Sequence, residues 1–285
     1  MITRQLQLEL LEHYPIKDTV SGLNEPSRLT LDHRGSSLYT VSDDSKLIFN
    51  LDLQGRIISD STFLIEVSDL EGIALTTENK SILVVQEQTN SIIRFDILTR
   101  KEIQRTPLAS LNSYDKIATY FEHKNKNKGL EGITVNYKNG HIFVVKEGEP
   151  GLIIELDSEC KTLINYCLLD EKHGFKHPRI KSKKLDFSGL SYDHSRDTIW
   201  ISSDKGECLF HFHWVEQKVL NLLDLHRDSK LQSKRITKPE GIAFNPINQR
   251  LYIVSDRECE LYVYQLHDYN EAATNFDDGC QQWHR

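Results

Sequence analysis

Leu70-Glu71-Gly72-Ile73-Ala74, Leu130-Glu131-Gly132-Ile133-Thr134 and Pro239-Glu240-Gly241-Ile242-Ala243 are three versions of one phrase. Two weaker versions are Phe187-Ser188-Gly189-Leu190-Ser191 and Pro26-Ser27-Arg28-Leu29-Thr30, which make five in all. Sixteen residues after the second position of each phrase an acid closes a run of apolar and β-branched residues: Asp43, Glu87, Glu147, Asp204 and Asp256. The constant offset identifies a structural repeat.

Around each phrase, short β-rich runs alternate with turn residues, which describes a four-stranded antiparallel meander. In the first repeat the strands read as 28–31, 38–42, 47–52 and 56–64, separated by the turns Asp32-His33-Arg34-Gly35-Ser36, Asp43-Asp44-Ser45 and Gln54-Gly55. The later repeats follow the same plan, but the fifth has no fourth strand after Leu266. The alternating stretch 5–14 at the start of the chain supplies a spare one. The fold expected is therefore all-β: a five-bladed β-propeller of four-stranded blades closed by the N-terminal strand, with six blades as the alternative. One domain is expected over residues 1–268, followed by a polar tail over 269–285. Long insertions precede the third, fourth and fifth phrases; the first has a helical reading over 110–121, and all three are rich in lysine and arginine.

With 285 residues, 38% hydrophobic, a net charge of -7 and a pI near 6.0, the chain reads as a soluble protein, and nucleic acid is not expected as a partner. The sequence has neither a secretory h-region nor an apolar span, so a cytoplasmic location without a membrane span is expected. Five cysteines without a C-x-x-C pair suggest reduced thiols rather than a disulfide framework or a zinc knuckle.

In such a meander the start of the first strand and the end of the second lie at the same end of the sheet, and the first strand lines the axis. Ser27, Glu71, Glu131, Ser188 and Glu240 are thus expected to form an inner ring at the axial mouth, with Asp43, Glu87, Glu147, Asp204 and Asp256 outside it. Two unit charges about 6 Å apart at an effective dielectric of about 20 repel by roughly 2.8 kcal/mol, so this set of carboxylates needs a counter-charge. Ca²⁺ suits an all-oxygen site better than zinc. The expected metal ligands are Glu71, Glu131, Glu240, Glu87, Glu147, Asp204 and Asp256; Arg28, Ser188 and Asp43 are expected to contact a ligand. Arg28, which replaces the repeat glycine, offers a fixed guanidinium as the other source of positive charge, and the outer acids also fit the role of turn caps. His211 and His213 share a strand face without an evident third zinc ligand. Trp200, Tyr252, Phe143 and Tyr39 read as packing between blades.

The pairing of E-G-I-A with V-V-x-E, and of S-G-L-S with S-S-D, resembles the SdiA-regulated (YjiK/CarP-like) family over about residues 20–266. That resemblance implies a bacterial five-bladed propeller distantly similar to NHL repeats, calcium binding, and in some members calcium homeostasis. It points to Glu71, Glu131 and Glu240 with the acids that follow them. Members of this family often carry a membrane anchor or export signal, and glycine usually stands where this chain has Arg28.

Three functions compete. The first is a non-enzymatic calcium-binding propeller acting as a sensor or scaffold. The second is a metal-dependent hydrolase of a lactone or phosphoester, with basic loops holding an anionic small molecule. Gluconolactonase-type propellers also place a glutamate at the axial entrance, although their asparagine ligands are not evident in these repeats. The third is a metal-free platform that binds a protein at the loop face.

Overall fold

The computed structural model describes residues 5–42, 45–122, 128–227 and 234–269. Five four-stranded antiparallel sheets surround an axis as the blades of a propeller. Blade 1 contains β2 (Pro26–Leu31), β3 (Ser37–Ser42), β4 (Leu47–Asp52) and β5 (Phe63–Leu64). Blade 2 contains β6 (Leu70–Leu75), β7 (Ser81–Gln86), β8 (Ser91–Asp96) and β9 (Lys101–Pro107). Blade 3 is β10 (Leu130–Val135), β11 (Ile142–Lys146), β12 (Leu152–Leu156) and β13 (Leu163–Leu168); blade 4 is β14 (Leu190–Asp193), β15 (Thr198–Ser203), β16 (Cys208–His213) and β17 (Lys218–Asp224).

In blade 5, β18 (Pro239–Asn245), β19 (Arg250–Ser255) and β20 (Glu260–Tyr269) are joined by β1 (Gln5–Pro15), in the order β1-β20-β19-β18. The β1–β20 register runs from Gln5 opposite Tyr269 to Pro15 opposite Glu260. The first strand of the chain thus completes the last blade, and ring closure removes the open end of the blade series. Five apolar clusters fill the seams between neighbouring blades. In one of them Leu83 and Val85 of blade 2 pack with Ile133, Val144 and Ile154 of blade 3, and in another Val41 and Ile48 of blade 1 pack with Ile73 and Val84 of blade 2. Because every seam needs both of its blades, no blade buries its apolar faces alone.

Three local expectations are corrected. The fourth strand of blade 1 is only two residues long, because Ser59–Ser61 form a 3-10 turn before it; short polar side chains favour such local backbone bonding over a sheet ladder. Residues 108–121 form three separate 3-10 turns rather than a continuous helix. β20 extends to Tyr269, beyond Leu266, because β1 pairs along it. Of the stretch 269–285 expected as a tail, Tyr269 ends β20 and residues 270–285 lie outside the described residues. Among the described residues no helix is long and apolar enough to cross a membrane.

Candidate metal centre

The innermost strands β2, β6, β10 and β18 share an irregularity: their register against the next strand shifts between positions 26 and 28, 70 and 72, 130 and 132, and 239 and 241. The extra residue in each bulge is Ser27, Glu71, Glu131 or Glu240. A bulge re-aims a side chain that regular alternation would send elsewhere, and here it brings the phrase acids together at the axis.

The glycine that follows each phrase acid meets the backbone of the next blade. A β-carbon on Gly132 would lie 2.3 Å from the Ser188 carbonyl oxygen, and one on Gly189 2.3 Å from that of Glu240. Blade 1 has Arg28 at this position, and its side chain runs to the axis, where the residue is 3% exposed. Nη1 donates to the Ser27 carbonyl and to the Glu240 carboxylate, both at 2.6 Å. Nη2 donates to the carboxylates of Glu71 and Glu131, and Nε donates to the Glu71 carbonyl. These five contacts match the five N–H donors of a guanidinium. Arg28 is therefore the counter-ion of the inner ring, and one positive charge faces three carboxylates. Burial raises the Glu131 carboxyl well above its ordinary range, opposed by Arg28 and reinforced by Glu71.

The outer acids stand directly after β7, β11, β15 and β19, and two of the four are in lysine ion pairs. Both Glu147 oxygens accept from Lys128 Nζ, at 2.7 and 2.8 Å. Asp256 is ion-paired with Lys238, whose Nζ also lies 3.5 Å from Glu240. Asp204 is half-buried near Asp186 and Glu240, and burial followed by those charges pushes its carboxyl up to about 6. Lys205 lies 3.1 Å from Asp186 and 3.8 Å from Glu147. Ser188 is buried with Oγ 3.1 Å from Ser202 Oγ, whose hydroxyl donates to the Glu240 carbonyl at 3.0 Å. Asp43 lies outside the described residues.

Blade 2 differs from the others. Asp69, Glu71 and Glu87 each place a carboxylate oxygen within 4.8 Å of the other two, a group able to coordinate a divalent metal ion. Among the described residues neither Asp69 nor Glu87 is in an ion pair; Glu87 accepts the Gly129 N–H at 3.0 Å, and Asp69 accepts that of Gln88 at 2.7 Å. Burial, together with Asp69 and Glu147, raises the Glu87 carboxyl. Clustered carboxylate oxygens in a half-buried mouth fit a hard cation.

Asp69 escapes the sixteen-residue rule. It stands two positions before Glu71, in a column that reads Glu25, Asp69, Gly129, Asp186 and Lys238; the mixed charge hides the column in the sequence. The available signal is its left-handed backbone, with φ of 62° at Asp69 and 47° at Lys238, which turns the chain into the bulge. The histidine pair belongs to no three-ligand group among the described residues: His211 is buried, stacked on Trp200 at 4.3 Å and 2.6 Å from Thr198 Oγ1.

Among solved structures, the chain is similar to the crystal structure of Myxococcus xanthus glutaminyl cyclase, with a TM-score of 0.62 and 12% identity over 93% of this chain and 98% of that one. At this identity the likeness concerns the fold. The family model described as SdiA-regulated matches residues 7–264. That match spans all five blades and the closing strand, and the chain belongs to the SdiA-regulated family.

Proposed function

We propose that the chain is a metal-dependent hydrolase of a lactone or phosphoester that holds a divalent cation with Asp69, Glu71 and Glu87. The observation that carries this reading is the clustering in blade 2: Asp69, Glu71 and Glu87 bring carboxylate oxygens within 4.8 Å of one another, and among the described residues neither Asp69 nor Glu87 is in an ion pair, whereas lysines pair with Glu147 and Asp256. An all-carboxylate donor set favours Ca²⁺, Mg²⁺ or Mn²⁺ over Zn²⁺, and Ca²⁺ is the ion we assign. A bound cation supplies Lewis acidity and a more acidic water. Asp204, held up to about 6, is placed in the range of a general base. Arg28 holds Glu71 in position through its carboxylate and its carbonyl.

A second reading is a non-enzymatic calcium-binding scaffold. It is favoured by the clamping of Glu71 to Arg28, which commits part of the donor set to structure. Calorimetric titration of chelator-treated protein with CaCl₂, MgCl₂ and MnCl₂, followed by turnover assays on lactone and phosphoester panels, separates the readings. Hydrolysis that requires the ion and is lost in Glu87→Gln supports the enzyme; binding without turnover supports the scaffold; no binding to any of the three ions sinks both. The cytoplasmic assignment belongs to the same proposal and rests on free Cys160, Cys167, Cys208 and Cys259; cell fractionation checks it.

A further inference from the structure

Residues 170–185, the insertion that leads from β13 into blade 4, carry Lys172, Lys176, Arg179, Lys181, Lys183 and Lys184, and no acid stands between 174 and 185. In a chain of net charge -7 this is a local reversal of sign. Charge runs of this kind are commonly solvated and unstructured; this one is tied down. Phe175 is fully buried, 5.1–5.3 Å from the rings of Phe187, Phe210 and Phe212. Asp170 accepts the N–H groups of Lys172 and His173 at 3.0 and 3.2 Å, and 3-10 turns form at Glu171–His173 and Ser182–Lys184.

The Arg179 guanidinium is tied to the protein, although the residue is exposed. It donates to the Gly206 carbonyl at 2.8 Å and pairs with Glu207 and Asp224, each at 3.2 Å. The five lysines are exposed, and none of them is in an ion pair among the described residues. Lys176, Lys181, Lys183 and Ser182 border an open hollow of about 580 Å³ in which Glu171 is the one carboxylate among the lining residues. That volume is within the range of small-molecule sites.

We propose that this loop is a docking site for a small, multiply charged phosphoryl compound. Planar carboxylates are matched by the fork of an arginine, and the arginine of this loop is already committed to protein carboxylates. The free cations are all lysines, compact charges with three rotatable donors each, which suit a tetrahedral oxyanion presented from several sides. The acidic mouth nearby, with Glu147 and Asp186 linked through Lys205, disfavours a long nucleic acid or an anionic membrane lying across the whole face. The site needs no bound cation and stands whether or not the chain is a hydrolase.

The experiment is calorimetric titration of metal-stripped full-length protein with inorganic tripolyphosphate and with a hexose bisphosphate, at low and high salt. Citrate serves as the carboxylate control. Binding by either phosphoryl probe, weakened by salt and by about a hundredfold in Lys176→Ala/Lys181→Ala/Lys183→Ala, is the expected result; the tighter probe distinguishes an inorganic from an organic source. An Arg56→Ala/Lys101→Ala control should leave it unchanged. Citrate binding as tightly, an unaffected triple variant, or an equal loss in the control variant would overturn the proposal. Failure of this test leaves the cation titration at Asp69, Glu71 and Glu87 untouched, so the two readings fail separately.

Discussion

Arg28 Nη1 lies 2.6 Å from the Glu240 carboxylate across 212 residues of sequence. The contact joins the first blade to the last at the axis, while β1 joins the two ends of the chain at the rim. The same guanidinium reaches Glu71 of blade 2 and Glu131 of blade 3, so one side chain gathers four blades.

Arg28→Ala takes the shared guanidinium away from three partly buried carboxylates, of which Glu240 keeps Lys238 at 3.5 Å. Removing one partner from such a network costs about 3–5 kcal/mol, and a fall in melting temperature on the order of 10 °C is expected. Arg28→Gly restores the repeat glycine and empties the centre. Millimolar CaCl₂ should then raise the melting temperature of the variant by more than it raises that of the wild type, since an ion bound only by the folded state stabilises it. Equal shifts in the two proteins would refute an axial site self-occupied by arginine.

Glu131→Gln should behave differently, although Glu131 is as buried as its neighbours. The ring holds three carboxylates for one guanidinium, and burial already raises the Glu131 carboxyl. A glutamine oxygen still accepts from Arg28 Nη2 while one like charge is removed. We expect a change within about 1 kcal/mol of zero, measured by denaturant unfolding.

Cation affinity should follow blade 2 alone. Asp69→Asn and Glu87→Gln are each expected to weaken binding about tenfold or more. Glu147→Gln, which removes a carboxylate already held by Lys128 at 2.7 Å, should change it by less than about threefold. Calorimetry on the three variants checks this, and an effect at Glu147 equal to that at Glu87 would contradict the assignment.

Asp204 has a pH signature. Its folded value of about 6 stands above the ordinary carboxylate value. The folded state therefore binds more protons than the unfolded chain between about pH 4 and pH 6, and this group's contribution to stability falls as pH rises through that window. Asp204→Asn should raise the melting temperature at pH 7.5, by roughly 2–4 °C for a contribution discounted to about 1 kcal/mol for partial exposure. The gain should vanish below about pH 3, where the wild-type carboxyl is protonated in both states. Melting curves at the two pH values decide it.

Gly132→Ala should be severely destabilising, because its β-carbon would sit 2.3 Å from the Ser188 carbonyl oxygen; that atom is backbone of the neighbouring blade and has little room to retreat. At Gly148 the nearest atom would be 3.7 Å away, the Leu185 carbonyl oxygen, and alanine should be tolerated there. Soluble yield and melting temperature of the two variants test whether the phrase glycine answers to close approach of blades.

The repeat phrase with its fixed offset determined the blade count, the antiparallel meander and the closing role of β1, because strand period and turn chemistry are local properties that each copy states again. It also placed Glu71, Glu131, Glu240 and the following acids at one end of the sheets. What it left open was which charge answers which. Arg28 stood out as a departure from glycine and as one of two possible sources of positive charge, but its reach to three carboxylates depends on the axis along which four blades converge. Asp69 was invisible beside Gly129 and Lys238 in its own column, since a cluster of ligands is defined by distance across strands rather than by spacing along the chain. Sequence periodicity thus set the positions of the acids, and only the tertiary structure, through bulges, lysine partners and one buried guanidinium, decided which charge each of them meets.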